Sequence, residues 1–303
     1  MSKVILYNFN HLRKNFSTIS CYVPKHNPVQ DNDIEILQEF IQKSMKMVIL
    51  TGAGISTESG IPDYRSEEVG MYARTDRRPV QYQDFLKSSE TRKRYWARNF
   101  IGFDNFSKVK PNSVHYSIRN LEVEHDKVTK LVTQNVDSLH FKAGSKQVVE
   151  LHGTAFKVVC LSCEAEYDRF YIQERLKEVN SHLFGTSEGV RPDGDVEISQ
   201  DTQDMFVPPS CESCGGILKP DIVFFGDNVP KIRVEEVRNS VTKSDSLLIL
   251  GSSLSVFSGY RIVLQAVEEG KNVAIVNIGP TRADKDVKLK INAKCGDILP
   301  KIC

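Results

Sequence analysis

The chain has 303 residues, 40% of them hydrophobic and 26% charged, with a formal net charge of +1. That is enough for a full core without covalent staples, and no apolar run has the length that spans a bilayer, so membrane insertion is not expected. Residues 1–30 hold Lys3, Arg13, Lys14 and Lys25 and no acid, which leaves 36 basic against 39 acidic residues in the rest; a nucleic-acid partner, which needs a strongly basic face, is not expected either.

The N-terminal stretch combines these cations with Ser2, Ser17, Thr18 and Ser20 and with Ile5, Phe9, Leu12 and Phe16 at helical spacing. It reads as a mitochondrial transit peptide, lost over roughly the first 25 to 30 residues, with a solvated tail as the plainer alternative. A helix is predicted over residues 31–45, with Asp31 as its cap and Ile34, Leu37, Ile41 and Met45 on one face. Met47 to Leu50 then forms a short buried strand that ends at Thr51-Gly52-Ala53-Gly54, the shape of a first nucleotide-binding βα unit. Two glycines of a dinucleotide fingerprint are present, but Thr57 stands where the third is expected, so this turn alone is a weak signal for NAD.

Apolar runs at Lys130 to Thr133, Ser246 to Leu250 and Asn272 to Val276 fit parallel strands covered on both faces. Between the last two lies a helix from about Tyr260 to Glu269, with Ile262, Val263, Ala266 and Val267 inward and Gly270 as its stop. Strand, helix and strand make a right-handed crossover, so both ends of the chain can share one doubly wound α/β sheet of Rossmann type. The expected division is residues 31–153 and 219–303 as the Rossmann domain, carrying a helical insertion at about 64–115, with residues 154–218 as a separate module.

That module holds the strongest single signal, Cys160-x-x-Cys163 with Cys211-x-x-Cys214. Each pair can supply two thiolates to one tetrahedral zinc, and four thiolates leave no open position, so the metal is expected to be structural. Seven cysteines are too few for a disulfide scaffold of this size, which also favours metal-bound thiolates in a reducing compartment. The 47 residues between the pairs are more than a zinc ribbon needs. Residues 185–207 account for the excess, and Glu188 to Asp204, with six acids and one arginine, reads as a mobile acidic loop that either covers the substrate entrance or is passive.

With His152 in Leu151-His152-Gly153 the chain resembles the sirtuins, most closely the mitochondrial class II branch. The motifs are Gly52-Ala53-Gly54-Ile55-Ser56, Gly60-Ile61-Pro62-Asp63-Tyr64-Arg65, Thr133-Gln134-Asn135-Val136-Asp137, the four cysteines, Lys219 through Gly226, Gly251-Ser252-Ser253 and Val276-Asn277-Ile278-Gly279. The resemblance implies an NAD-consuming protein-lysine deacylase, with lipoamide removal and acidic-acyl removal among its reactions, acting on acylated proteins of the mitochondrial matrix. His152 would be the general base toward a ribose hydroxyl. Ala53, Gly54, Asp63, Tyr64 and Arg65 would line a loop over NAD, and Gln134, Asn135, Val136 and Asp137 would meet its nicotinamide and ribose end. Gly52, Gly251, Ser252, Ser253, Asn277, Ile278, Gly279 and Cys295 would meet the phosphates and adenosine.

The resemblance also implies that two extended segments, Val223-Phe224-Phe225-Gly226 and Val256-Phe257-Ser258-Gly259, hold the substrate peptide between them as an added strand. Tyr95 and Arg98, three residues apart on a predicted helix over 91–100, would face an acyl carboxylate; a solvated helix face is the plainer alternative. Three other functions compete: a dehydrogenase, a zinc-ribbon nucleic-acid module, and mono-ADP-ribosyl transfer to protein from the same NAD site. The first lacks its third glycine, and the second conflicts with the net −5 of Glu188 to Asp204.

Overall fold

The structure is a computed structural model that describes residues 22–76, 78–183 and 188–303. Most of the expected transit peptide, residues 1–21, lies outside the described residues. Eleven strands are named here in chain order. They are β1 (Met47–Thr51), β2 (Val128–Thr133), β3 (Val148–Glu150), β4 (Gly153–Cys160), β5 (Glu166–Asp168), β6 (Glu188–Val190), β7 (Val196–Glu197), β8 (Leu218–Ile222), β9 (Ser246–Leu250), β10 (Asn272–Val276) and β11 (Leu289–Ile291).

Six of them form one parallel sheet in the order β11-β10-β9-β1-β2-β3. The chain therefore starts in the middle, builds outward one way through β2 and β3, and returns to build the other way from β9, the doubly wound arrangement expected. Both faces are covered, which is why the strands read as continuous apolar runs. Met47 and Ile49 pack with Leu37, Ile41, Ile118 and Leu121 on one face, while Val48 packs with Val237, Val241, Val263 and Ala266 on the other. The topological switch lies between β1 and β9, and their C-terminal ends open the crevice where such sheets bind ligands.

Several boundaries differ from those read in the sequence. The first helix is Asp31–Lys43, with Gln30 rather than Asp31 at the cap position, and Met45 falls beyond its end, exposed. Lys43 already occupies the last turn, so Met45 has no helical register to join. The helix before β10 is Phe257–Glu268, which draws Phe257, Ser258 and Gly259 into its first turn. Val256, extended at φ −80° and ψ 128°, is its cap, so the segment 256–259 is not the extended strand expected. Val267 is exposed, because Ile262, Val263 and Ala266 already fill the inward stripe.

A second layer stands beside the sheet. It joins the three-stranded antiparallel sheet β5-β4-β8 to the helices Tyr82–Lys87, Ser89–Phe106 and Arg169–Val179 around Phe85, Trp96, Val158, Ile172 and Phe224. Trp96 donates its indole N–H to the Leu218 carbonyl at 3.0 Å. The Arg169 guanidinium, fully buried, lies 4.1 Å from the Phe103 ring centroid and bonds Asn99 Oδ1. The first contact fixes helix Ser89–Phe106 against the cysteine-bearing sheet, and the second fixes it against helix Arg169–Val179.

The acidic segment is folded rather than mobile over residues 191–206. β6 and β7 pair as a hairpin, helix Gln200–Met205 follows, and Arg191, Asp195, Val196, Gln203 and Phe206 are buried. Gly102 and Gly194 mark the closest approach. A Cβ on Gly102 would sit 2.1 Å from the Gly194 carbonyl oxygen, and one on Gly194, at φ +79°, would sit 2.7 Å from the Phe106 ring. Composition misled here because the buried charges are paired: Arg98 Nε meets both Asp195 oxygens at 3.0 and 3.1 Å, and Arg191 reaches Asp195 and Glu197.

Candidate active site

The Gly52-Ala53-Gly54 turn leaves β1 and runs directly against Gly251 at the end of β9. Gly54 N–H donates to the Gly251 carbonyl at 2.9 Å, and a Cβ on Gly54 would sit 2.8 Å from that same oxygen. Backbone must touch backbone here, so the glycines are required by packing at the switch point. Asn135 closes the turn from β2, donating from Nδ2 to the Gly52 carbonyl and to Ser56 Oγ, both at 3.1 Å. Gln134 does the same one residue earlier, from Nε2 to the Thr51 carbonyl at 3.2 Å and to Ser252 Oγ at 2.9 Å.

Above this crevice lies a cavity of about 1090 Å³. That is ample for a dinucleotide with room for a second ligand, since drug-sized sites run from about 300 to 1,000 Å³. Gly52, Ala53, Gly54, Asp63, Tyr64, Arg65, Gln134, Asn135 and Val136 line one side of it, and Gly251, Ser252, Ser253, Asn277, Ile278, Gly279 and Cys295 also line it. His152, Tyr95, Val223, Phe224, Phe225, Gly226, Val256, Phe257 and Ser258 complete the lining named from the sequence.

Three expected residues do not reach the cavity. Asp137 is buried behind it, accepting from Ser56 Oγ at 2.7 Å and Leu139 N–H at 2.9 Å, and burial raises its pKa. Gly259 packs on the Gln134 side chain, 2.5 Å from where its Cβ would be. Arg98 does not line it because Asp195 holds its guanidinium, whereas Tyr95, three residues earlier, does, with its hydroxyl buried and unpartnered. Both are buried, so the solvated-face alternative falls. Conversely, the sequence reading missed His26, Asp193, Asn292 and Lys294, which also line the cavity. They come from three separate stretches with no local signature.

His152 sits between β3 and β4 with both ring nitrogens engaged. Nδ1 lies 3.0 Å from the Gln134 carbonyl oxygen, which can only accept, so Nδ1 carries the proton. Nε2 is then the lone-pair nitrogen, and Ser258 Oγ at 2.7 Å donates to it. Burial, the largest cause, with Arg233 nearby, pushes the His152 pKa down to about 4, against an opposing contribution from the Gln134 bond. The imidazole is therefore neutral near pH 7, with its basic nitrogen turned to a hydroxyl.

The four cysteines converge as expected. Cys160 ends β4, Cys163 follows in the turn, and Cys211 and Cys214 form the facing knuckle before β8. All four sulfurs lie within 4.8 Å of one another, with Cys160–Cys214 and Cys163–Cys211 at 3.6 Å. A disulfide needs about 2.05 Å, whereas tetrahedral Zn–S bonds of about 2.3 Å put the sulfurs about 3.8 Å apart. The residues fit one structural zinc.

The Sir2 family model matches residues 52–258, and the chain belongs to that family. It is 54% identical over 281 residues to "NAD-dependent protein deacylase Sirt4" of Drosophila melanogaster, covering 93% of this chain and 90% of that protein. It is 49% identical over 286 residues to "NAD-dependent protein lipoamidase sirtuin-4, mitochondrial" of Homo sapiens, covering 94% and 91%. Among solved structures, "Sir2-p53 peptide-NAD+" superposes with a TM-score of 0.69 at 30% identity, over 89% of this chain and 96% of that one.

Proposed function

We infer that this chain is an NAD-dependent protein-lysine deacylase and lipoamidase acting on acylated proteins of the mitochondrial matrix. The observation that carries the reading is His152: a half-buried neutral imidazole whose lone-pair nitrogen faces a hydroxyl in the cavity that opens over the glycine turn.

NAD, when bound, supplies an electrophilic ribose carbon and nicotinamide as leaving group. Asn277, Ile278, Gly279 and Cys295, with Gly251, Ser252 and Ser253, would hold its adenosine side and phosphates, Gln134 would lie near the ribose, and Asn135 would hold the nicotinamide end. Asp63, Tyr64 and Arg65 close over it. Asp63 keeps that loop folded by accepting from the Arg65 and Ser66 N–H groups at 3.0 and 2.8 Å. Val136 and Gly54 are further contacts, and Asp137 acts from behind through Ser56.

His152 Nε2, which accepts from Ser258 Oγ at 2.7 Å, is the nitrogen that would accept a proton from a hydroxyl of the bound ribose. The Gln134 carbonyl then steadies the charged ring through Nδ1–H. Val223 to Gly226 would contact the acylated peptide, Gly226 from a turn at φ +77° and not from the extended chain expected; Val223 N–H is already given to the His152 carbonyl at 2.8 Å and the Phe225 carbonyl accepts from Tyr82 N–H at 2.9 Å. Val256, Phe257 and Ser258 line the same cavity. Tyr95 touches the acyl chain, and Arg98 supports it through Asp195 instead of reading its charge.

The test is turnover of lipoyl-, acetyl- and glutaryl-lysine peptides with NAD. Release of the free lysine with lipoyl turnover, lost about 10²-fold or more in His152→Ala, is expected. ADP-ribose accumulating on protein with every acyl group left in place would favour the transferase alternative.

A further inference from the structure

The segment Tyr22–Asn27, which precedes the first helix, does not trail into solvent. Pro24, Lys25, His26 and Asn27 all line the large cavity. The segment is tied to both of its walls. On one side the Arg74 guanidinium lies over the Tyr22 ring at 4.9 Å, and Lys25 pairs with Glu68 at 3.0 Å. On the other, His26 Nε2 lies 3.1 Å from Asp297 Oδ2.

These anchors are far apart in sequence. Glu68 and Arg74 belong to the stretch that continues the Asp63-Tyr64-Arg65 loop, while Asp297 lies in the short helix that starts at Cys295. Asp297 is itself held by Lys294, whose Nζ sits 2.9 Å from its other oxygen and also meets Glu58 at 3.4 Å. His26 Nδ1 faces the Pro24 carbonyl at 2.9 Å, so both ring nitrogens meet acceptors. The Lys25 pair is exposed and contributes little. The His26 contact is the more enclosed tether, with the imidazole about three-quarters covered.

We propose that Tyr22–Asn27 forms a third wall of the dinucleotide site, a strap that spans from the cofactor loop to the Cys295 helix and holds the adenosine half of the ligand. The proposal rests on the NAD reading above and adds a ligand contact from a segment that the sequence reading assigned to the discarded leader. It also requires processing to stop before Tyr22, so that the mature enzyme keeps the strap.

The experiment compares chains starting at Tyr22 and at Pro28, together with His26→Ala in the longer chain. NAD KM and ADP-ribose affinity are measured for each. Loss of the strap is expected to raise the KM for NAD about tenfold and to weaken ADP-ribose to a similar degree, with the KM for acyl-peptide unchanged and His26→Ala shifted in the same direction. Equal KM and equal ADP-ribose affinity in all three proteins would overturn the strap while leaving the NAD reading intact. NAD consumption by none of them would overturn the NAD reading itself.

Discussion

His152 Nε2 and Ser258 Oγ stand 2.7 Å apart, and the direction of that hydrogen bond is fixed by a third group, the Gln134 carbonyl on Nδ1. Because the half-buried imidazole is desolvated by the groups packed around it, its pKa falls to about 4. The base is in its working, neutral form at any pH above that value. The acidic limb of kcat/KM for the peptide should therefore lie well below the ordinary histidine value of about 6.5. A pH–rate profile on the free enzyme checks this; a limb at pH 6.5 would mean that the imidazole is solvated in the active form.

The same burial has a stability consequence. His140, buried against Thr51 Oγ1 at 3.1 Å, is pushed down to about 3, and His152 to about 4. Below about pH 6.5 the unfolded chain takes up protons that the folded chain refuses, so the stability these groups confer is present above that pH. It is lost progressively as pH falls toward 3. Urea midpoints measured between pH 6.5 and pH 4 should fall less steeply in His140→Gln than in the wild type, and identical slopes would contradict the assignment.

Arg98 and Asp195 join helix Ser89–Phe106 to the acidic segment through a buried ion pair. Removing Arg98 leaves Asp195 with Arg191 alone, at 3.8 Å, so the cost lies below the roughly 3–5 kcal/mol of a fully stranded buried charge. Arg98→Met should lower the unfolding midpoint and reduce activity by similar factors on glutaryl-, lipoyl- and acetyl-lysine. A selective loss on glutaryl-lysine with unchanged stability would instead make Arg98 a reader of acyl charge.

Cys211→Ser removes one of four sulfurs that meet within 4.8 Å. Since zinc binding in such a site is part of the folding free energy, the variant should lose its metal and unfold its β5-β4-β8 layer. Atomic absorption and hydrogen exchange over β4 and β8 provide the readout. A metal-free variant with wild-type protection would show that the sulfurs pack without an ion.

Much of this was legible beforehand, and for a physical reason. β9 and β10 have the predicted bounds because each, after one polar residue, is a run of apolar residues of the kind a parallel strand covered on both faces needs. The cysteine pairs announce themselves because a knuckle fixes their spacing. Less visible was the acidic segment, whose polarity is neutralised by Arg98, 97 residues away from Asp195 in sequence. Nor does Phe257 show from its neighbours that it opens a helix, since no side chain caps that helix's start. His26 reaches the cavity across 271 residues to Asp297, a pairing that only the folded chain displays.

The most direct test of the account is the stoichiometry of NAD consumption in a single reaction with lipoyl-lysine peptide. One nicotinamide released per acyl group removed, with no reduced NAD formed and both processes lost together in His152→Ala, is the predicted result. Acyl removal that proceeds without nicotinamide release, or formation of reduced NAD in step with product, would contradict it.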